Sequence, residues 1–328
     1  MPNPRKTLAA LGLALAAALC GASAAPDAAA PARPRITGLS HVAFSVRDLD
    51  RTLAFYEGYL GFAEPYMLRS DAGAVQAAWI KINDRQTLEL FPTGGAAPRD
   101  GDSLSHIALE TDDAQGMLDY LRSRGVKGPG GRPLPERAKA GRIGNLNYFA
   151  EDPDGHGVEF MQYMPGGWTQ GNAGKDLPPT RIAWRMGHAG ITVANLGASL
   201  AFYRDILGFR ETWRGSSDGR TLSWVNLRVP DGRDYIELML VGARPDAGRL
   251  HVLHHVCLDV PDARAAADAL AARTLPAGCR APDPLKVGVN GRRQLNCYDP
   301  DGTRVEIMEV NTVDGRPVPP SGAPAPGG

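Results

Sequence analysis

The chain lacks net charge: 36 Lys and Arg residues face 36 Asp and Glu residues among 328. So balanced a composition has no basic footprint for nucleic acid or an anionic membrane, and neither is expected as a partner. Also missing is an apolar run long enough to span a bilayer, which takes about 20 residues. The run Leu8–Leu19 has only 12, so no integral membrane span is expected. There is no Gly-rich phosphate loop, dinucleotide fingerprint or GxSxG elbow, which leaves nucleotide and Ser-hydrolase readings without support. Cysteine is scarce, with four residues in all, and their spacing matches no metal knuckle. Hydrophobic residues at 43% and charged residues at 22% are ordinary globular usage, which excludes a fibrous or fully disordered chain.

The N-terminus has the layout of an export signal. Arg5 and Lys6 precede the Leu8–Leu19 run, and Ala22-Ser23-Ala24 offers a small-residue cleavage site. Residues 1–24 are therefore expected to be a cleaved signal peptide, giving a periplasmic or extracellular protein. A lipid anchor at Cys20 is disfavoured by Leu19 before it. Residues 25–35 follow as an Ala/Pro-rich linker. In an oxidising compartment the odd set Cys257, Cys279 and Cys297 leaves at least one thiol unpaired. Buried thiols with one disulfide at most are expected.

The chain repeats itself. His41-Val42-Ala43-Phe44, Leu53-Ala54-Phe55-Tyr56 and Leu60-Gly61-Phe62 recur 147 residues later as His188-Ala189-Gly190-Ile191, Leu200-Ala201-Phe202-Tyr203 and Leu207-Gly208-Phe209. Asp152-Pro153-Asp154-Gly155 with Glu159 likewise recurs as Asp299-Pro300-Asp301-Gly302 with Glu306. Each half divides again, at His106 and at His255, into a strand, a helix and further strands. In the first unit a helix carries Leu49, Leu53, Tyr56 and Leu60, and strands are predicted over 76–82 and 86–91 around an Asn83-Asp84 turn. In the second, Asp112 and Asp113 cap a helix with Met117 and Leu121. The outcome is an α+β protein of four βαβββ modules in two tandem domains, 36–165 and 186–312. Residues 166–185 form a linker between the domains and 313–328 a disordered tail.

Alternation along each first strand puts His41, His106, His188 and His255 opposite the helix-packed face, among small residues. His254 falls on the helix side. Each module's last strand carries one acid between apolar neighbours: Glu89, Glu159, Glu237 and Glu306. A carboxylate buried without a partner costs several kcal/mol, and four would approach a domain's whole 5–15 kcal/mol. Either the faces are wet or a cation compensates. Two imidazoles and two carboxylates per half suit a divalent first-row metal, one of Fe, Mn, Zn, Ni or Co.

Through the His strands, the LAFY…LGF helices and the DPDG…VE strands, residues 37–312 resemble the vicinal oxygen chelate superfamily of glyoxalase I, extradiol dioxygenases, epimerases and bleomycin-resistance proteins. The resemblance implies paired modules curled into U-shaped mixed sheets, with metal ligands on first and last strands. It implies one site of His41, Glu89, His106 and Glu159 and a second of His188, Glu237, His255 and Glu306, unless modules pair across the halves. The implied activity is a metal-dependent lyase or isomerase that chelates neighbouring oxygens of a small molecule, with Glu159 or Glu306 as base for a proton next to a carbonyl. Glyoxalase I itself is disfavoured for an exported chain, because its thiol-adduct substrate forms in the cytoplasm. Two alternatives accompany this reading. One is an iron(II) ring-cleaving dioxygenase built on His188, His255 and Glu306, with Tyr298 as acid–base partner. The other is a metal-free binding protein. A monomer or homodimer is expected. Smaller expectations concern Lys139, Arg142 and Asn145 on one polar loop, and Lys286, Asn290 and Arg292 on its counterpart, as anion contacts. Trp79 and Trp224 are expected to pack in the core rather than wall a pocket.

Overall fold

A computed structural model describes residues 31–97, 101–242 and 247–319, leaving out the side chains of residues 247, 248 and 251. The expected signal segment and the end of the tail lie outside these residues.

The first half runs β1 (Ile36–Val46), α1 (Leu49–Leu53), β2 (Tyr66–Arg69), β3 (Val75–Lys81), β4 (Thr87–Pro92), then β5 (Leu104–Thr111) and α2 (Ala114–Ser123). The short ribbon β6 (Lys127–Gly128) and β7 (Arg132–Pro133) comes next, followed by β8 (Lys139–Ala140), β9 (Leu146–Glu151) and β10 (Gly157–Gln162). After a four-residue helix α3 (Trp168–Gly171), the order returns as β11 (Arg185–Val193), α4 (Leu196–Leu200), β12 (Arg210–Gly215), β13 (Trp224–Arg228) and β14 (Tyr235–Leu240). The last module has α5 (Ala247–Leu253), β15 (His255–Val260), α6 (Ala263–Ala271), β16 (Lys286–Val287), β17 (Arg293–Tyr298) and β18 (Arg304–Glu309).

Two eight-stranded curled mixed sheets result, ordered β2-β3-β4-β1-β5-β10-β9-β8 and β12-β13-β14-β11-β15-β18-β17-β16. Consecutive modules therefore pair within each half, through antiparallel β1·β5 and β11·β15. The two ligand sets do not mix.

The four central strands of the first sheet show why the register holds. Val42, Phe44, Leu88, Leu90, Ile107, Leu109, Val158 and Phe160 are fully buried on the helix-facing side. A slip by one residue would turn all eight onto the other face. At about 1.5–3 kcal/mol each, that loss matches or exceeds the roughly 5–15 kcal/mol stability of a domain.

The Asp48 and Asp113 side chains cap α1 and α2 by accepting from Arg51 N and Gly116 N. The helix predicted to carry Leu49 to Leu60 is regular only to Leu53 and continues as a π-helical turn, Ala54–Tyr59, repeated in the second half as Ala201–Ile206. The wider turn takes in one extra residue, so Phe55 and Tyr59 are buried along with Tyr56 and Leu60. Gly61 and Gly208 end these helices at φ of 78° and 79°, where any Cβ is strained.

The described residues from Pro31 onward form one compact unit, and one continuous core crosses both halves. The contacts between halves are reciprocal. Asp154 accepts from Ala194 N at 3.0 Å, and Asp301 from Arg47 N at 2.8 Å. The Tyr203 hydroxyl donates to Asp152 at 3.0 Å. Thus the DPDG turn of each half holds the start of the other half's first helix. Cys257, Cys279 and Cys297 are all free thiols, so no disulfide joins these three.

Candidate metal centre

Glu89 (β4), His41 (β1), His106 (β5) and Glu159 (β10) stand on four adjacent strands. The registers Ala43↔Glu89, Ala43↔His106, His41↔Ala108 and Ala108↔Glu159 place small residues between them. Period-two alternation turns all four side chains to one face. They converge. His41 Nε2 lies 2.9 Å from His106 Nε2, 3.1 Å from Glu89 Oε2 and 2.9 Å from Glu159 Oε2. His106 Nε2 is 3.4 Å and 3.2 Å from the same two oxygens. Ligand atoms about 2.0–2.2 Å from one ion stand roughly 3–3.5 Å apart in octahedral or tetrahedral geometry, so these four atoms fit a divalent cation.

Each imidazole has a hydroxyl at its other nitrogen: Ser40 Oγ beside His41 Nδ1 and Ser105 Oγ beside His106 Nδ1, both at 3.2 Å. The Tyr163 hydroxyl donates to Ser40 Oγ at 2.7 Å. Such outer partners fix ring orientation and leave Nε2 for a metal. Sequence reasoning passed over these serines, although the dipeptide Ser-His occurs in both strands.

Without a metal the cluster is held by protons. Burial alone would lower the pKa of His41, yet the Glu159 and Glu89 carboxylates push it up to about 10. His106 is also raised against burial, by Glu159 and Glu89. Burial would raise Glu159, but His41 and His106 bring it down to about 2. A metal must displace these protons. Uptake of a divalent metal at pH 7.5 is therefore expected to release at least the His41 proton. Calorimetry in two buffers of different ionisation enthalpy measures the number released, and zero release would contradict the charge assignment.

The four groups open into a cavity of about 420 Å³ walled by Trp79, Phe91, Phe149 and Met161, with Arg142 and Gln76 hydrogen-bonded to each other in its lining. Phe149 meets the His106 ring edge-on, with centroids 5.0 Å apart. Trp79 is thus a wall and not only core, and Trp224 likewise lines the second half's cavity, stacked on Trp213 at 6.4 Å. Of the polar-loop residues, Arg142 reaches the first cavity and Lys286 and Asn290 the second. Lys139 is exposed on β8 and lines neither. Asn145 is buried and bonded to Thr169 at 2.9 Å, and Arg292 packs over the Tyr235 ring.

The second set also comes together, but less tightly. His188 Nε2 is 3.1 Å from His255 Nε2 and 3.3 Å from Glu306 Oε2. His255 Nε2 is 3.5 Å from Glu237 and 3.8 Å from Glu306. Instead of one four-membered cluster there are two overlapping triads, His188–Glu237–His255 and His188–Cys257–Glu306. Gln294 donates to Glu306 Oε1 at 2.6 Å. Tyr298 is engaged elsewhere: its hydroxyl donates to Asp283 and Arg280 lies over its ring.

A model of the glyoxalase/bleomycin resistance protein/dioxygenase superfamily matches residues 38–160 and 185–307, one copy per half. The chain belongs to this superfamily. Among related proteins of the superfamily, lactoylglutathione lyase of Neisseria meningitidis serogroup A is 31% identical over 134 residues, 39% of this chain and 92% of that protein. Glyoxalase I of Saccharomyces cerevisiae is 27% identical over 139 residues, 42% of this chain and 38% of its own length. Two solved structures share the fold over nearly the whole chain. The Mn(II)-bound glyoxalase from Novosphingobium aromaticivorans has a TM-score of 0.61 at 20% identity, covering 90% of this chain and 89% of that one. The 2,3-dioxygenase LapB from Pseudomonas sp. KL28 has a TM-score of 0.61 at 18% identity, covering 88% and 98%. Superfamily membership brings a setting of metal-dependent enzymes acting on small molecules. Among the described residues no helix is long and apolar enough to cross a membrane.

Proposed function

We propose that the first half is a metal-dependent lyase or isomerase centre, with His41, Glu89, His106 and Glu159 holding one divalent ion of the Fe, Mn, Zn, Ni or Co group. The convergence of four ligand atoms, each imidazole nitrogen 2.9–3.4 Å from the other and from both carboxylates, in the lining of one cavity carries the reading. When bound, the ion would supply Lewis acidity toward the oxygens of a substrate. The protein supplies the rest. Glu159, released from the ion, would take the proton from the carbon next to the carbonyl and give it back to the neighbouring atom, and His41 and His106 are held in place through Ser40 and Ser105. Phe91, Phe149 and Met161 form apolar walls that limit water around the reacting carbon, and Arg142 suits an anionic substituent. The cavity accommodates a small molecule.

The test is proton exchange at the carbon alpha to the carbonyl in hydroxy-carbonyl and dicarbonyl compounds, followed by NMR in deuterium oxide with Mn(II)-loaded protein. Exchange that requires the metal is expected. Glu159→Gln should lower the rate by about 10²–10⁴ with the metal still bound, and Glu89→Gln by less. Equal rates in wild type and Glu159→Gln would remove Glu159 as base. Oxygen uptake on catechols by iron-loaded protein would favour ring cleavage instead, and failure to hold any metal would favour a binding protein. Export belongs to the same proposal: the mature chain, starting near Ala25, should be recovered outside the cytoplasm, whereas an intact Met1 in the cytoplasm would count against it.

A further inference from the structure

The halves differ at one inward position beside the ligands. The first half reads Gly155-His156-Gly157-Val158-Glu159 and the second Gly302-Thr303-Arg304-Val305-Glu306. Gly157 and Arg304 each stand two residues before the terminal glutamate, on its face of the strand, and each pairs with the second histidine of its half, His106 or His255. At Gly157 there is no side chain, and a Cβ built there would stand 3.1 Å from His106 Cβ. At Arg304 the guanidinium Nη2 lies 2.5 Å from His255 Nδ1 and 3.1 Å from His255 Nε2.

Three further observations follow this exchange. The residue facing the second histidine is Ala43 in the first half and Gly190 in the second, and a Cβ at Gly190 would collide with the His255 ring. The His255 ring thus occupies the space that a methyl group at Gly190 would fill. The first cavity is lined by both histidines and both glutamates, whereas the second, about 280 Å³, is lined by Glu237, Glu306 and Arg304 but by neither histidine. Finally, His188 Nδ1 is buried with no partner among the described residues, where His41 and His106 have Ser40 and Ser105.

From these differences we infer that the second-half cluster does not take a metal, because the guanidinium of Arg304 supplies the positive charge beside His255, Glu237 and Glu306. A divalent ion placed there would meet a fixed cation within a few ångströms, in a buried site with little screening. Complete in residue type, the set is closed by one neighbour. In taking the first half as the metal-holding one, the inference rests on the proposed function, and the experiment separates the two.

Full-length protein and variants are dialysed against Co(II), and bound cobalt is measured by mass spectrometry together with its visible absorption. Wild type is expected to hold one equivalent, His188→Ala/His255→Ala one, His41→Ala/His106→Ala none, and Arg304→Gly two. Two equivalents in wild type, loss of cobalt on changing His188 and His255, or retention on changing His41 and His106 would each overturn the inference. A folded Arg304→Gly protein holding no more than wild type would do the same. Should wild type hold none, the first-half reading fails while Arg304→Gly still decides this one, by a gain of one equivalent. If Arg304→Gly does not fold, the two histidine double variants decide alone.

Discussion

His41→Ala is expected to destabilise the metal-free protein by about 3–5 kcal/mol, the usual consequence of removing one partner from a buried charged set. His41 touches both carboxylates and the other imidazole, so its loss leaves Glu89 and Glu159 sharing His106 in a buried place. The sign of the pH dependence follows from its pKa, raised from 6.5 to about 10 chiefly by Glu159 and Glu89 against the effect of burial. A group protonated more readily in the folded state stabilises fully below its unfolded pKa and loses that contribution as pH rises through the folded one. The difference between wild type and His41→Ala should therefore shrink as pH rises from about 6.5 toward 10. Adding Glu159→Gln to His41→Ala should recover part of the loss, since one unpaired charge is gone. Urea unfolding of chelator-treated protein measures all three. A His41→Ala protein as stable as wild type at pH 6 would mean that the cluster is not charged as described. In metal binding the same change should weaken affinity by more than the 10–100-fold typical of outer-partner changes.

Asp299→Asn is expected to stabilise the protein. Asp299 Oδ1 accepts from the Asp301 and Thr303 amides, both at 2.9 Å, but Oδ2 is buried without a partner among the described residues. Burial first, then nearby Asp301, raises its pKa from 3.8 to about 7, against the lowering effect of those amides. Its counterpart Asp152 has the relief that Asp299 lacks, with His156 Nδ1 at 2.9 Å and the Tyr203 hydroxyl at 3.0 Å. Thr303 stands where His156 would be, and the Tyr56 hydroxyl, buried like that of Tyr203, has no partner. Because the folded pKa is the higher one, wild type loses stability as pH rises between about 4 and 7. A shift of about three units corresponds to about 4 kcal/mol at most. Asparagine keeps the acceptor for the two amides and carries no charge. Its advantage in urea unfolding should be small at pH 4 and reach about 2–4 kcal/mol at pH 8. An advantage no larger at pH 8 than at pH 4 would show that Asp299 does not carry the buried charge.

Much of this architecture is legible in the sequence because its two strongest signals are local. Period-two alternation around His41, His106, His188 and His255 and the 147-residue repeat specify strands, faces and modules without knowledge of the fold. Module pairing is different: whether β1 meets β5 or a strand of the second half depends on long-range packing, which no local pattern encodes. The π turn at Ala54–Tyr59 escaped a helical reading because Phe55, Tyr56, Tyr59 and Leu60 supply apolar residues in both phases. The residue types of the two ligand sets are readable and identical, but their difference in geometry is not carried by those eight residues. It lies in Gly157 against Arg304 and Ala43 against Gly190, positions that matter only once strands are laid side by side. The recurring tyrosine and DPDG motifs were the strongest sequence landmarks, yet they mark the seam between halves rather than either cavity.

That seam determines what kind of object the molecule is. The acceptors are Asp154 and Asp301, and main-chain amides of Ala194 and Arg47 donate to them, a part of the clasp that any side chain at those two positions leaves in place, while the Arg47 guanidinium adds an ion pair to Asp301 at 3.2 Å. Each half gives one clasp and receives one, so the pair closes on itself within a single chain, as an isologous contact does. Fusion in one polypeptide also keeps the halves together at any dilution, so the chambers can diverge while their shared frame stays the same.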